Sequence, residues 1–385
     1  MVMWGVRMRV MILPTSTGQG HNSASAAVKD YLDARGAEAI ISDVLNAGRQ
    51  KSDFVSHLYD NAVEHVPKFF GALYGLAERI STGKHHSPIY FLNTLYTDSL
   101  YKMIMDLQPQ VIVCPHMFSA HAVTRLIEKY RLAVPTVGII TDYTCSPFWE
   151  ETRLNRYVVA NEAVAEECVH KGMRRDSIFP LGIPVRGKFK EKIPKREARA
   201  LFGIKKEPVV LIMGGSMGYG KIPALSAALA QRLPDAQIVA ACGHNASVYE
   251  ETKANGSVMA LPYINNIDKL MDAADILLTK PGGLSTTEAM TKRIPLIITM
   301  PIPGGEERNS QYISQLGMAV STAAVGESVE AACRLVSDPA AQRRMIECQE
   351  RYCSVSAAED TAELIIKLAE AGGNSYADVR HHDNG

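Results

Sequence analysis

The sequence predicts an α/β fold with two Rossmann-like domains that face each other across a cleft. Short apolar runs alternate with longer stretches of helical period along the 385 residues. Two similar stretches, one in each half, pass from an apolar run through a glycine turn into a helical pattern. A segment rich in Pro, Gly and Lys separates the halves. Repeated strand–helix units of this kind are typical of doubly wound parallel sheets.

The first half contains five predicted strands, because continuous Val, Ile and Leu runs are typical of strands buried on both faces of a parallel sheet. These strands are Arg9–Leu13, Ala39–Asp43, Val111–Cys114, Thr136–Ile140 and Tyr157–Ala160. Helical patterns lie between most of them, at His21–Ala34, Ala120–Tyr130 and Asn161–Lys171.

The second half repeats the alternation. Its predicted strands are Val209–Met213, Gln237–Ala241, Ile276–Thr279 and Leu296–Thr299, with a helix at Pro223–Arg232 after the first of them. We place the domain boundary near Lys188, so that the predicted domains span residues 1–188 and 189–356. A final helix over 357–371 is expected to cross back to the first domain. Residues 372–385 are expected to form a disordered tail.

Composition excludes several classes of protein. The net charge is zero, so that nothing in the overall charge favours nucleic acid as a partner. No apolar run reaches the 18 to 20 residues, roughly, that a membrane-spanning helix requires. The seven cysteines include no Cys-x-x-Cys pair, which favours buried thiols in a reducing compartment and argues against a zinc site. We therefore expect a cytoplasmic protein.

Residues 46–110 interrupt the alternation. They form amphipathic segments rich in Tyr, Phe and Leu, such as "SHLYDNAVEHVPKFFGALYGLAERI". One interpretation is a set of helices that face the core. The other is an apolar groove or membrane-contacting face with Lys68, Lys84, His85 and His86 at its polar edge.

Three motifs of the second half combine glycine with polar residues at the ends of predicted strands. "MGGSMGYGK" follows the strand Val209–Met213, and its glycines let backbone N–H groups approach an anion closely. "KPGGLSTTEAM" contributes a second glycine turn and the acidic Glu288, a residue type that holds ribose in dinucleotide-binding folds. "PIPGGEERNSQ" is predicted to be a polar loop that suits a polyhydroxylated ligand.

These motifs together resemble the two-domain glycosyltransferases that include plant monogalactosyldiacylglycerol synthase and bacterial processive diacylglycerol glucosyltransferases. The segment "GQGHNSASAAV" looks like the family's glycine–histidine start of the first helix. The stretch from "VPTVGIITDY" to "LGIPVR" also follows the glycolipid synthases. The similarity covers about residues 9–370 and implies a GT-B fold.

The resemblance implies a UDP-sugar on the second domain and a lipid acceptor on the first. The implied donor contacts are to the diphosphate, the uracil, the ribose and the sugar. They comprise Gly20, Gly214, Gly215, Ser216, Gly218, Gly243, Tyr263, Ile264, Gly283, Leu284, Ser285, Thr286, Glu288, Glu306, Glu307 and Asn309. The implied acceptor contacts are His116, Phe118 and Trp149. No cofactor and no metal are expected, since the family inverts the anomeric carbon without one.

Inverting transfer requires a base that takes the proton of the acceptor hydroxyl. His21 is the leading candidate, because imidazole titrates in the useful range. Asp142 is the second candidate, either as the base or as a partner that orients His21.

The sequence predicts transfer of a hexose from a UDP-sugar to diacylglycerol or a glycosyl-diacylglycerol by an enzyme peripheral to the inner face of the cell membrane. Three alternatives stay open: another acceptor, a UDP-N-acetylglucosamine 2-epimerase, and a UDP-sugar sensor without activity. The sequence does not decide between glucose and galactose, and it leaves the acceptor, the processivity and the oligomeric state open.

Overall fold

A computed structural model describes residues 7–15, 19–43, 87, 90, 96–301 and 304–372. The chain divides into two units. The first unit is formed by Met1–Arg186 together with Ser356–Gly385, and the second by Gly187–Val355. The assignment of acceptor binding to one and donor binding to the other stays a prediction.

The first unit is built on a six-stranded sheet in which every described pairing is parallel, in the order β2-β1-β3-β4-β5-β6. In chain order its elements are β1 (Arg9–Ile12), α1 (Gln19–Ala34), β2 (Glu38–Ile41), α2 (Thr97–Leu107), β3 (Val111–Cys114), α3 (Met117–Tyr130), β4 (Thr136–Ile139), β5 (Arg156–Val158), α4 (Glu162–His170) and β6 (Ile178–Phe179).

The second unit also contains a six-stranded parallel sheet, in the order β12-β11-β10-β7-β8-β9. Its elements are α5 (Lys195–Leu201), β7 (Val209–Met213), α6 (Ile222–Arg232), β8 (Gln237–Ala241), α7 (Ala246–Lys253), β9 (Val258–Leu261), α8 (Ile267–Ala273), β10 (Ile276–Thr279), α9 (Gly283–Thr291), β11 (Leu296–Thr299), α10 (Gly305–Gln315), β12 (Val320–Thr322), α11 (Val325–Ser337) and α12 (Pro339–Tyr352).

The last helix, α13 (Ala357–Gly372), packs against the first sheet and α1. Its buried face inserts Ala362, Ile365 and Ala369 among the strand residues of β1, β3 and β4. The first core is therefore assembled from chain segments that lie far apart in the sequence. The predicted tail lies outside the described residues from position 373 on.

The predicted α/β class with two parallel sheets is confirmed, and every predicted strand is present within two residues at each end. Three strands were not predicted: β6, β9 and β12. β6 and β9 are the terminal strands of their sheets, and so is β12. An edge strand needs less apolar surface than a central one, so that β12 has two exposed residues out of three and carries no apolar run.

Most of the amphipathic region lies outside the described residues. Its last helix, α2, is described, and it buries Thr97, Leu100 and Ile104. Tyr101 of α2 stacks on Tyr130 of α3 with ring centroids 4.2 Å apart. For α2, packing on a neighbouring helix thus agrees with the interpretation of a core-facing segment.

Candidate functional site

The first sheet brings three predicted site residues to one edge. His21 lies in the first turn of α1 after β1, His116 follows β3, and Asp142 follows β4. These strands are neighbours in the sheet and run parallel, so that their carboxyl ends meet at the same edge. The rings of His21 and His116 meet edge to face, with centroids 4.4 Å apart.

The hydrogen bonds of His21 determine which of its nitrogens can act as a base. Its Nδ1 lies 3.0 Å from the carbonyl oxygen of Pro115 and 3.2 Å from Oγ1 of Thr141. Because a carbonyl oxygen only accepts, Nδ1 carries the hydrogen and donates it. In the neutral ring Nε2 then has the lone pair. This is the arrangement that a general base requires, since the second ring nitrogen is held by the protein.

The pKa of His21 is lowered, chiefly because burial disfavours the imidazolium. The Asp142 carboxylate opposes this by raising the pKa, as does the hydrogen bond to the Pro115 carbonyl. Burial therefore favours the neutral imidazole, which is the form that can accept a proton. Asp142 itself accepts a hydrogen bond from Ser146 Oγ at 2.5 Å.

His116 is the N-cap residue of α3. Its Nδ1 accepts the backbone N–H of Phe118 at 3.2 Å, so that the side chain caps the helix. Burial lowers the pKa of His116 well below its ordinary value, and the neighbouring His21 and His121 lower it further. The Phe118 ring lies 4.5 Å from the His116 ring. The predicted acceptor contacts of both residues stay predictions.

Trp149, the third predicted acceptor contact, lies in the core. It is 4% exposed, packs against Tyr157 and lies so close to Gly138 that a Cβ there would stand 2.9 Å from its ring. This placement assigns the ring a packing role at β4 and β5. It does not favour direct contact with an acceptor.

All predicted donor residues except Gly20, which lies in the first turn of α1, are gathered at the carboxyl edge of five neighbouring strands of the second sheet. Gly214, Gly215, Ser216 and Gly218 follow β7, and Gly243 follows β8. Tyr263 and Ile264 follow β9, the segment from Gly283 to Glu288 follows β10, and Glu306, Glu307 and Asn309 follow β11. Open parallel sheets bind ligands at this edge.

The glycine turn after β7 is packed against the turn after β8. A Cβ on Gly218 would collide with the carbonyl oxygen of Cys242, and a Cβ on Gly243 with that of Ser216. His244 N donates to Ser216 O at 2.7 Å. Close approach between two turns therefore explains Gly218 and Gly243 without a ligand. Gly215 has a φ of +70°. Its predicted contact with an anion stays a prediction.

Helix α9 begins at Gly283, so that Gly283, Leu284 and Ser285 have N–H groups beyond the reach of its internal hydrogen bonds. Thr286 is buried, and both its N–H and its hydroxyl donate to Gly282 O, at 3.1 and 2.8 Å. The hydroxyl of Thr286 is therefore used within the helix, and the predicted donor contact of this residue stays a prediction. Glu288 lies in the second turn of α9.

The predicted polar loop after β11 was wrong, since Gly305–Gln315 form α10. Glu306 and Glu307 lie in the first turn of this helix, where carboxylates complement the helix dipole. Asn309 is buried, while Glu307 is exposed. The sequence did not predict this helix, because the segment is polar and is preceded by Pro and Gly, which are typical of loops.

Two further residues at this edge, His244 and Lys280, were not among the predicted contacts. The His244 ring stacks on Tyr263 with centroids 4.0 Å apart at 15°, and Tyr263 is 47% exposed. Lys280 follows β10 directly and had no role in the prediction. A cation placed immediately before the second glycine turn was the signal for it.

Among the described residues, no group of three or more His, Cys, Asp or Glu side chains is placed to hold a metal ion. Within the same residues, no helix has the length and apolar character needed to cross a bilayer.

Two family models match separate parts of the chain. The model of monogalactosyldiacylglycerol (MGDG) synthase matches residues 21–185, which include His21, His116 and Asp142. The model of the glycosyltransferase family 28 C-terminal domain matches residues 209–348. The second match includes every predicted donor residue of the second unit.

Curated relatives match most of the chain. The processive diacylglycerol beta-glucosyltransferase of Bacillus subtilis is 26% identical over 373 residues, which cover 94% of this chain and 96% of the relative. The protein of the same name from Bacillus pumilus is 26% identical over 341 residues, covering 86% and 87%.

Solved structures share the fold. The calicheamicin glycosyltransferase CalG4 aligns with a TM-score of 0.62 at 14% identity, covering 95% of this chain and 99% of that one. UDP-GlcNAc 2-epimerase from Neisseria meningitidis, bound to UDP-GlcNAc, aligns at 0.58 and 14%, covering 94% and 100%. HepE from Anabaena, in complex with UDP and glucose, aligns at 0.56 and 16%, covering 94% and 100%. The predicted GT-B type of fold is thereby confirmed.

Proposed function

We propose, from the matches to the MGDG synthase model and to the glycosyltransferase family 28 C-terminal model, that the chain is a two-domain glycosyltransferase that transfers a hexose from a UDP-sugar to the hydroxyl of diacylglycerol or a glycosyl-diacylglycerol. The observation that carries this proposal is the pair of matches in one chain. A lipid-glycosyltransferase model covers the edge with His21, and a family 28 model covers the edge with the glycine turns.

The proposed reaction assigns one chemical task to each edge. At the first, Nε2 of His21 takes the proton of the acceptor hydroxyl as its oxygen bonds to the anomeric carbon. At the second, the bond between that carbon and the diphosphate oxygen breaks, and UDP leaves with the bonding electrons. The first-turn N–H groups of α9 stabilise the charge that develops on it. Attack from the opposite side inverts the anomeric carbon.

The predicted donor residues agree with a UDP-linked donor. They do not distinguish one sugar from another. HepE, whose structure holds UDP and glucose, shares the fold with this chain at 16% sequence identity. At this identity the likeness extends to the fold and not to individual ligand contacts. We propose UDP-glucose or UDP-galactose as the donor and no metal for the chemistry. We further propose that the enzyme acts peripherally on the inner face of the cell membrane, because its acceptor is a membrane lipid.

Incubating the full chain with radiolabelled UDP-glucose or UDP-galactose and vesicles containing diacylglycerol tests this function. We expect a labelled glycolipid, UDP release that depends on diacylglycerol, and unchanged rates in the presence of EDTA. Vesicles without diacylglycerol are the control. An epimerase would instead convert UDP-N-acetylglucosamine without any acceptor. A sensor would bind UDP-sugar and turn over none of the acceptors.

A further inference from the structure

Lys280 lies where the glycine turns after β7 and β10 meet. It follows β10, whose last residue, Thr279, donates its hydroxyl to Met213 O at the end of β7 at 3.0 Å. This bond ties together the strand ends from which two glycine turns start. The Cε atom of Lys280 lies 3.3 Å from where a Cβ would stand on Gly215, and 3.8 Å from where one would stand on Gly282.

The ammonium group lies between an aromatic ring and a carboxylate. Its Nζ is 5.4 Å from the centroid of the Tyr219 ring and 3.7 Å from Oε1 of Glu306. The side chains of Lys280 and Glu306 are 33% and 27% exposed, so that both remain accessible from solvent. A long ion pair of this kind is weak, and its ammonium can exchange one oxyanion for another.

We propose that Lys280 binds the diphosphate of the donor and neutralises the charge of the leaving UDP. This inference rests on the proposed function. The absence of a Cβ on Gly215 lets the lysine stem lie close to the backbone of the first glycine turn, and the same stem lies next to Gly282 of the second. Gly282 is the N-cap residue of α9, so that the lysine stem lies next to the N-terminus of a helix, where an anion is favoured.

The charge of the leaving group explains why a fixed cation belongs here. As the bond from the anomeric carbon to the diphosphate breaks, its electron pair stays on the diphosphate oxygen. The acceptor proton goes to His21 and is not available to that oxygen. Lys280 stabilises the developing charge without transferring a proton, and the Glu306 carboxylate holds the ammonium at this edge until the diphosphate replaces it.

Calorimetric titration of the full-length protein with UDP and with uridine tests the proposal without an acceptor. We expect Lys280→Met to weaken UDP binding about tenfold, the loss of one charged contact, and to leave uridine binding unchanged. Lys280→Arg should keep the preference for UDP. Lys253→Met is the matched control, because Lys253 also lies 5.4 Å from a tyrosine ring, that of Tyr249, but at the far end of α7.

Glu306→Gln gives a change of opposite sign. Removing this carboxylate from beside the ammonium and the diphosphate should raise UDP affinity about threefold, and the rise should vanish in the Lys280→Met background. In transfer assays Lys280→Met should lower kcat about 100-fold.

Unchanged UDP affinity in Lys280→Met, or equal losses for UDP and uridine, would overturn the proposal. If Lys280→Met does not fold, unchanged UDP affinity in Lys280→Gln overturns it in the same way. A wild-type protein that binds UDP but glycosylates no diacylglycerol refutes the proposed acceptor and leaves the Lys280 result standing.

Discussion

His21 shows how much the geometry of a predicted base depends on contacts far away in the sequence. The motif "GQGHN" made it a candidate base, because histidine titrates near neutral pH. The tautomer of its ring could not be predicted, since it depends on Pro115 and Thr141, which lie 94 and 120 positions further along the chain. The proximity of Asp142 likewise depends on the neighbouring positions of β1 and β4 relative to β3.

Replacing His21 separates its chemical role from donor binding. We expect His21→Ala to lower the rate of transfer about 100-fold or more, because the acceptor hydroxyl loses its base. UDP affinity, measured by calorimetry, should stay within the error of the wild type, since the proposed donor contacts lie mainly in the second unit. A collapse of UDP affinity would instead make His21 a part of the diphosphate site.

Asp142→Asn tests the electrostatic link between the two residues through the pH dependence of kcat/KM. A base is active when unprotonated, so that activity rises with pH through the pKa of His21, which burial places below its ordinary value. The Asp142 carboxylate raises that pKa, and removing its charge should therefore shift the acid limb to lower pH. If Asp142 is itself the base, activity is lost at every pH and no shifted limb remains.

At the scale of elements, central strands and amphipathic helices were predictable, whereas the polar helix α10 and three of the four described edge strands were not. β7 and β8 are buried and carry continuous apolar runs. β12 and α10 lack such runs, because solvent covers much of their surface and little apolar area is needed. The role of the glycines also needed the structure: sequence associates a glycine turn with an anion, but Gly218 serves the packing of two turns.

Gly218→Ala tests this packing role. The new Cβ would meet the Cys242 carbonyl oxygen at a φ of +62°, and we expect the free energy of unfolding to fall by about 2 kcal/mol or more. Gly220→Ala is the matched control, because φ is +103° there but no atom lies within 4 Å of the added Cβ. Urea unfolding measures both. Equal losses would show that backbone strain, and not contact between the turns, decides the effect.

At the scale of the whole molecule, the last helix completes the first unit after the chain has formed the second. Ile365 is fully buried among residues of the first sheet, and it is reached only through the whole of Gly187–Val355. The apolar pattern of the final segment predicted a helix. The predicted return of this helix to the first domain is confirmed by its packing against the first sheet and α1.

Ile365→Ala should therefore destabilise the first unit selectively. Truncating a buried isoleucine leaves a cavity, and we expect a loss of about 2 to 4 kcal/mol in the free energy of unfolding. UDP affinity in native buffer should be unchanged, because the proposed donor residues of the second unit keep their own core. Lys367→Ala, at an exposed position of the same helix, should cost much less. A loss of UDP binding in Ile365→Ala, while the protein remains folded by circular dichroism, would show that this helix also supports the donor site.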